Sequence, residues 1–209
     1  MKIAVVAANG KAGSLIVEEA VARGHEVTAI VRHENKTKAQ NQLVKDLYDL
    51  TREDLQDFDA AVDAFGVFDP DKLDEHQTSL KHLADSLSGT ATRLLVVGGA
   101  GSLYVNPEHT IKLMDTPDFP DAFKGLASNM GKALDVLKTR DDVNWIYISP
   151  AADFQADGEK TGSYQVAGEE LTVNSEGESV ISYADYAIAM IDEIENGKHS
   201  KERISVVSK

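Results

Sequence analysis

Residues 2–32 read KIAVVAANGKAGSLIVEEAVARGHEVTAIVR, and no other stretch restricts the fold so strongly. Residues 3–8 form a short run rich in valine, isoleucine and alanine, the signature of a strand buried on both faces. Residues 12–23 then place Leu15, Ile16, Ala20 and Val21 at helical spacing, with Glu18 and Glu19 on the other side. Gly24 stands where a helix end takes the left-handed conformation, and HEVTAIVR supplies a second strand. Strand, helix and strand in that order imply a right-handed crossover and a parallel sheet with helices on it.

The pattern recurs along the chain. Strands are expected in QLVKDLYDL (42–50), FDAAVDAFG (58–66), TRLLVVGGAG (92–101), VNWIYISPAADF (143–154) and RISVVS near the end. Helices are expected at 72–87 and 121–139, where leucines and other apolar residues recur at helical spacing. GSYQVAGEELTVN (162–174) alternates around a glycine-containing turn and reads as a hairpin. A last helix opens with Ser182 and Asp185 in capping-box spacing and closes at Gly197. At 209 residues, without a linker, repeat or low-complexity segment, residues 1–209 read as one domain.

Composition narrows the chemistry. With no cysteine, disulfides, thiolate metal sites and dithiol relays are excluded, so any redox chemistry must come from a cofactor. A net charge of −14 opposes binding to nucleic acid, and the cluster Arg32, Lys36, Lys38 is too short to reverse it. No apolar run approaches the ~20 residues of a membrane span, and the start lacks a signal-peptide core, so a cytoplasmic protein with no membrane partner is expected. His25, His33, His76, His82, His109 and His199 show no metal-ligand spacing. The acidic DPDKLDEH lacks the glycine and terminal glutamate of a calcium loop, so no metal site is expected.

The loop after the first strand is Ala7-Ala8-Asn9-Gly10-Lys11-Ala12-Gly13. It keeps the second and third glycines of a GxxGxxG pattern and has alanine for the first. A pyrophosphate needs close backbone approach and a helix N-terminus with free N–H groups, and this position in a strand–loop–helix unit provides both. Asn9 tolerates positive φ, and Lys11 adds charge beside a phosphate. The second strand ends Ile30-Val31-Arg32-His33 with no acid before Glu34. A carboxylate there would select NAD(H); the Arg32 guanidinium suits the 2′-phosphate of NADP(H), which is therefore the preferred coenzyme. Asp46, after the third strand, serves either the adenine or an ordinary loop start.

Six segments, NGKAGS, VTAIVR, DAFG, LLVVGGAGSLY, SPAADF and ISYADYAIAMIDEIEN, give the chain a nearly full-length resemblance to the atypical short-chain dehydrogenases, in particular the small NAD(P)H:flavin reductases related to biliverdin-IXβ reductase. The resemblance implies an α/β Rossmann fold with strand order 3-2-1-4-5-6-7 and helices on both faces. A small C-terminal hairpin lobe would join an acceptor side drawn from about 102–125 and 152–181. It places Gly10, Lys11, Ala12 and Gly13 at the pyrophosphate and Arg32 at the 2′-phosphate. Phe65 and Gly66 pass the adenosine side, while Gly98, Gly99, Ser149, Pro150 and Ala151 line the nicotinamide end. The departure is Ala7, where glycine is usual; it bears on coenzyme occupancy rather than on fold.

Carbonyl reduction in typical relatives uses Tyr-x-x-x-Lys, the tyrosine donating a proton. If Lys132 is that lysine, Ser128 replaces the tyrosine, and a serine hydroxyl is too weak an acid. A flavin (FMN or FAD) or a quinone needs no such donor, because its ring spreads the charge and water supplies the proton later. Tyr104, Phe119, Phe123, Phe154 and Tyr164 are candidates for an acceptor platform, and Ser102 and Ser149 for polar contacts at the reacting end. A non-catalytic NADP(H)-binding redox sensor is the competing expectation; an epimerase is disfavoured by length and by the missing tyrosine. The partner is a small-molecule acceptor, and the chain is a monomer or homodimer.

Overall fold

The computed structural model describes residues Met1–Lys209. Its centre is β1 (Lys2–Val6), flanked in parallel by β2 (Glu26–Val31) and β4 (Ala60–Asp63). β3 (Asn41–Val44) extends the sheet beyond β2, and β5 (Arg93–Val97) and β6 (Trp145–Ser149) extend it beyond β4. Two later strands, β8 (Gln165–Ala167) and β10 (Glu202–Val207), complete the order β3-β2-β1-β4-β5-β6-β10-β8. The first seven positions follow the expected order, with β10 as the seventh strand. β7 (Asp153–Gln155) and β9 (Val180–Ser182) form a separate parallel pair.

Strand side chains alternate, so each face of the sheet has its own core. Ile3 and Val5 point toward α1 (Lys11–Ala22) and α5 (Tyr183–Asn196), among Ile16, Val17, Tyr186 and Met190. Ala4 and Val6 point the other way, toward α3 (Glu75–Leu87) and α4 (Asp121–Leu137), among Leu83, Leu87, Leu134 and Trp145. A short α2 (Arg52–Leu55) contributes Leu55 to that second core. Truncating one of these side chains, as in Leu83→Ala, costs roughly 2–5 kcal/mol because the surroundings relax only partly.

Helix ends follow the sequence signals. The Ser182 side chain accepts from the Asp185 N–H at 3.0 Å, and Gly197 terminates α5 with φ 57°. Gly24 takes φ 84° after α1.

The hairpin expected at residues 162–174 is absent. β8 instead runs antiparallel to β10 at the edge of the main sheet. Residues 169–171 cross to Tyr104, whose N–H donates to the Glu169 carbonyl at 2.9 Å and whose carbonyl accepts from Leu171 at 2.8 Å. The hairpin of the lobe lies at residues 104–112, closed by Val105 N–H to the Ile111 carbonyl at 2.9 Å. Asn106 shapes its tip by accepting from the Thr110 and Ile111 N–H groups. Alternation marks a half-buried strand but not its partner, and the open edge of β10 offers more backbone groups than a local return of the chain.

Candidate functional site: a coenzyme cradle at the strand ends

Gly10 caps α1 with extended backbone, φ −70° and ψ 168°, and no side chain bonds the first-turn amides. No acid stands in that turn, so the N–H groups of Lys11, Ala12 and Gly13 and the helix dipole are left for an anion. Gly13 is fixed by packing. A Cβ there would stand 2.7 Å from the Ala7 carbonyl oxygen and 3.0 Å from the Ala8 Cα, so the helix could not approach the strand. A Cβ on Gly10 would meet only the Ala7 oxygen, at 3.4 Å, leaving its outer side open. Ala7 itself takes φ 58°, the left-handed region that costs an L-residue roughly 1–2 kcal/mol. Alanine therefore keeps the backbone shape a glycine would give, under strain. Uncapped amides, an open Gly10 and no acid together fit a pyrophosphate.

Asn9 clamps the loop after β2. Its amide donates to the Glu34 carbonyl at 2.9 Å, and its oxygen accepts from the Lys36 N–H at 2.8 Å. That side chain is thus engaged inside the protein and holds residues 34–36 against the glycine loop. Arg32 and Lys11 are exposed and enter no ion pair, whereas Lys38 is paired with Glu18. Asp46 accepts from the Tyr48 N–H at 2.9 Å, the local loop-start role that the sequence also allowed.

Phe65 is half-buried, edge-on to His76 with ring centroids 5.6 Å apart, and Gly66 opens to solvent. The preceding Asp63 is buried, with Oδ1 accepting from the Phe65 N–H at 3.0 Å. Burial without a nearby cation pushes its carboxyl up to about 6.

At the ends of β5 and β6, Gly98 lies flat on the Tyr147 ring; a Cβ would fall 2.2 Å from Cε1. The Gly99 N–H donates to the Tyr147 hydroxyl at 3.1 Å, and the Met130 sulfur of α4 sits 3.1 Å from where a Gly99 Cβ would be. Pro150 and Ala151 are buried beside Ser149.

The Ser102 and Ser149 hydroxyls both accept from one buried arginine. Arg203 of β10, 2% exposed, donates from Nη1 to the Ser102 hydroxyl at 2.9 Å and to the Ser149 hydroxyl at 3.2 Å. Nη2 donates to the Ser102 carbonyl at 3.0 Å and to Glu169 at 2.6 Å, and Nε to Glu169 at 3.0 Å. All five guanidinium N–H groups are used, and the arginine ties three segments of the wall together. Lys138 adds a second cation to Glu169 at 3.0 Å.

The aromatic candidates do not converge on one platform. Phe154 packs on Tyr183 and Tyr186, with ring centroids 4.0 and 4.9 Å away, against the core beneath α5. The Tyr164 hydroxyl donates to Asp192 of α5 at 2.5 Å. Tyr104 stacks on His109 at 4.8 Å in the hairpin, Phe119 is half-buried just before α4, and Phe123 is exposed on it. Ser128 is half-buried and Lys132 exposed on α4, with no tyrosine in this helix.

Three residues that shape the site were not singled out in the sequence. Tyr147, between Ile146 and Ile148, reads as a core aromatic. Asp63 did leave a signal, a lone charge closing the apolar run Ala60–Val62, whereas Arg203 follows Lys201 and Glu202 and reads as one more charge of a solvated strand start. No group of residues in the structure has metal-binding geometry, and no helix is long and apolar enough to cross a membrane.

A family model described as NAD(P)H-binding matches residues 7–196. The Bacillus subtilis protein YwnB is 48% identical over 100% of this chain and 99% of its own length. A solved Streptococcus pneumoniae protein, provisionally named an NADH-flavin reductase, is 57% identical with a TM-score of 0.98, covering 100% of both chains. A solved Bacteroides thetaiotaomicron protein, provisionally named an epimerase, is 36% identical with a TM-score of 0.85, covering 99% of this chain and 96% of its own. The chain belongs to the NAD(P)H-binding family.

Proposed function

We propose that the chain is an NAD(P)H-dependent reductase that passes hydride to a flavin- or quinone-like acceptor and prefers NADPH. The observation that carries the coenzyme half is the uncapped, acid-free start of α1 beside an unpaired Arg32, with no carboxylate ending β2. Lys11 and the α1 amides hold the pyrophosphate, Arg32 holds the 2′-phosphate, and Asn9 keeps the flanking loop in place. The name carried by the Streptococcus pneumoniae relative supports the acceptor half.

The bound coenzyme supplies the hydride. The protein's contribution is alignment: Gly98 and Gly99, packed on Tyr147 and Met130, fix the backbone beside the reacting end, and the wall tied by Arg203 fixes the floor behind it. Ser128 in place of a tyrosine, with Ser102 and Ser149 accepting from Arg203, leaves the acceptor end only serine hydroxyls, too weak as acids to take the place of the tyrosine. That suits an acceptor protonated by water and does not suit a simple carbonyl.

The test is NADPH and NADH oxidation followed with FMN, a naphthoquinone or no acceptor. Acceptor-dependent turnover, faster with NADPH, is expected. Arg32→Glu should raise the NADPH KM roughly ten- to a hundredfold, the loss of a charged hydrogen-bonding partner, with NADH little changed. Tight coenzyme binding without turnover on any acceptor would replace this reading by the sensor.

A further inference from the structure

Behind the Gly98–Gly99 crossing lies a cavity of about 20 Å³, lined by Asp63, His76, Ser79, Met130 and Tyr147 among others. A polar cavity of this size takes one water when two to four polar groups face it. Three do. Asp63, 5% exposed, bonds within the chain through Oδ1 alone, leaving Oδ2 as an acceptor. Ser79, 1% exposed, has a hydroxyl with no partner in the chain. The Tyr147 hydroxyl accepts from the Gly99 N–H, and its own hydrogen has no acceptor in the chain.

We propose that Asp63, a water in this cavity and Tyr147 form a relay that positions Gly99, and with it the reacting end of the coenzyme. The relay rests on the coenzyme reading above. With Asp63 ionised, the water donates to the carboxylate and accepts from the Tyr147 hydroxyl, whose lone pair is then free for the Gly99 N–H. With Asp63 neutral, its proton points at the water, which then accepts from both Asp63 and Tyr147; the negative end of the chain that polarised the phenol is gone, and its oxygen becomes a poorer acceptor for the Gly99 N–H. The Gly99 crossing then loosens.

The charged and titratable groups around Asp63 are few. From α3 comes His76, whose Nε2 lies 2.9 Å from the Val67 carbonyl and whose burial lowers its pKa. From β6 comes Tyr147, pushed by burial up to about 12 and so neutral throughout. Arg203 of β10 acts on Tyr147 rather than on Asp63 directly. The cavity walls from β5 and α4 are Val96, Val97, Met130 and Ala133, none of them charged. Asp63, raised to about 6 by burial, switches between pH 5 and 7, and its replacement by asparagine separates it from His76.

The test has two readouts. In the ¹⁵N-labelled protein without coenzyme, the Gly99 amide shift should titrate with a midpoint near 6 and stop titrating in Asp63→Asn and Tyr147→Phe. NADPH affinity, measured by fluorescence, should fall roughly three- to tenfold more between pH 7.5 and 5 in the wild type than in Asp63→Asn. That subtraction removes titration of the coenzyme's own 2′-phosphate and of surface histidines. A Gly99 amide that does not titrate overturns the relay, and so does a titration that persists in Asp63→Asn, which would assign it to His76. A matched fall in NADPH affinity in the two proteins also overturns it. A Gly99 titration that depends on Asp63, in a protein that binds neither NADPH nor NADH at any pH, supports the water-linked relay and overturns the coenzyme reading instead.

Discussion

Ala7 carries the sharpest consequence at the scale of single residues. Its φ of 58° is a conformation glycine takes without strain, so Ala7→Gly should raise stability in a urea melt by about 1 kcal/mol and leave the loop shape unchanged. Gly13→Ala should do the reverse. A methyl 2.7 Å from the Ala7 oxygen forces strand and helix apart, at a cost of roughly 1–3 kcal/mol and with a parallel loss of NADPH affinity. Asp63 has a pH signature of its own. Its folded pKa is raised from 3.8 to about 6, so its contribution to stability is full below 3.8 and is lost as pH rises through 6. Asp63→Asn should remove that decline, making the variant the more stable protein at pH 8 by an amount on the order of 2–3 kcal/mol in chemical denaturation. What the sequence revealed at this scale was the residue type each position needed; what it hid was orientation. Ser102 and Ser149 read as free hydroxyls because nothing local announces that Arg203, far along the chain, takes both.

At the scale of elements, α1 sacrifices intrinsic stability for its open end. An acid in its first turn would complement the dipole, yet none is present. Lys11→Glu should therefore stabilise the helix by roughly 0.3–1 kcal/mol in thermal denaturation while abolishing detectable NADPH binding, since it puts a like charge against the pyrophosphate. NADPH binding that survives the substitution would mean that no anion binds there. β10 is the other decisive element. Arg203→Met leaves Glu169 with Lys138 alone and two serines unpaired, a loss of roughly 3–5 kcal/mol by urea denaturation. Arg203→Lys should recover only part, because an ammonium cannot span three segments. The strands and helices were legible because periodicity and glycine placement are local. The hairpin was misplaced because strand pairing is a competition among distant edges: Asn106 and its neighbours form the true turn, in a stretch with little alternation.

For the molecule as a whole, acid is the condition that should undo it. Burial would raise Glu169 and Glu193, but bonds from Arg203 and Lys138, and from His199 and Arg93, outweigh it and hold both below the usual 4.5. Glu19 is likewise lowered against burial by Lys160 and Arg23. Carboxyls with depressed pKa values stabilise above their unfolded value and lose that contribution as pH falls through the folded one. Melting temperature should therefore drop steeply below about pH 4.5, even though Asp63 alone pulls weakly the other way. The topology was readable at this scale because alternating strands and helices leave few ways to close a sheet; the eighth strand was read as a strand but given the wrong partner, since alternation does not say which edge it joins. That strand has a consequence for how the protein assembles during synthesis. β8 is made before β10 yet has no other neighbour in the sheet, and β10 also delivers the guanidinium that joins Ser102, Ser149 and Glu169. A nascent chain thus completes its first strand–loop–helix unit early, and the wall joined by Arg203 remains unfinished until one late segment slides between two that are already there.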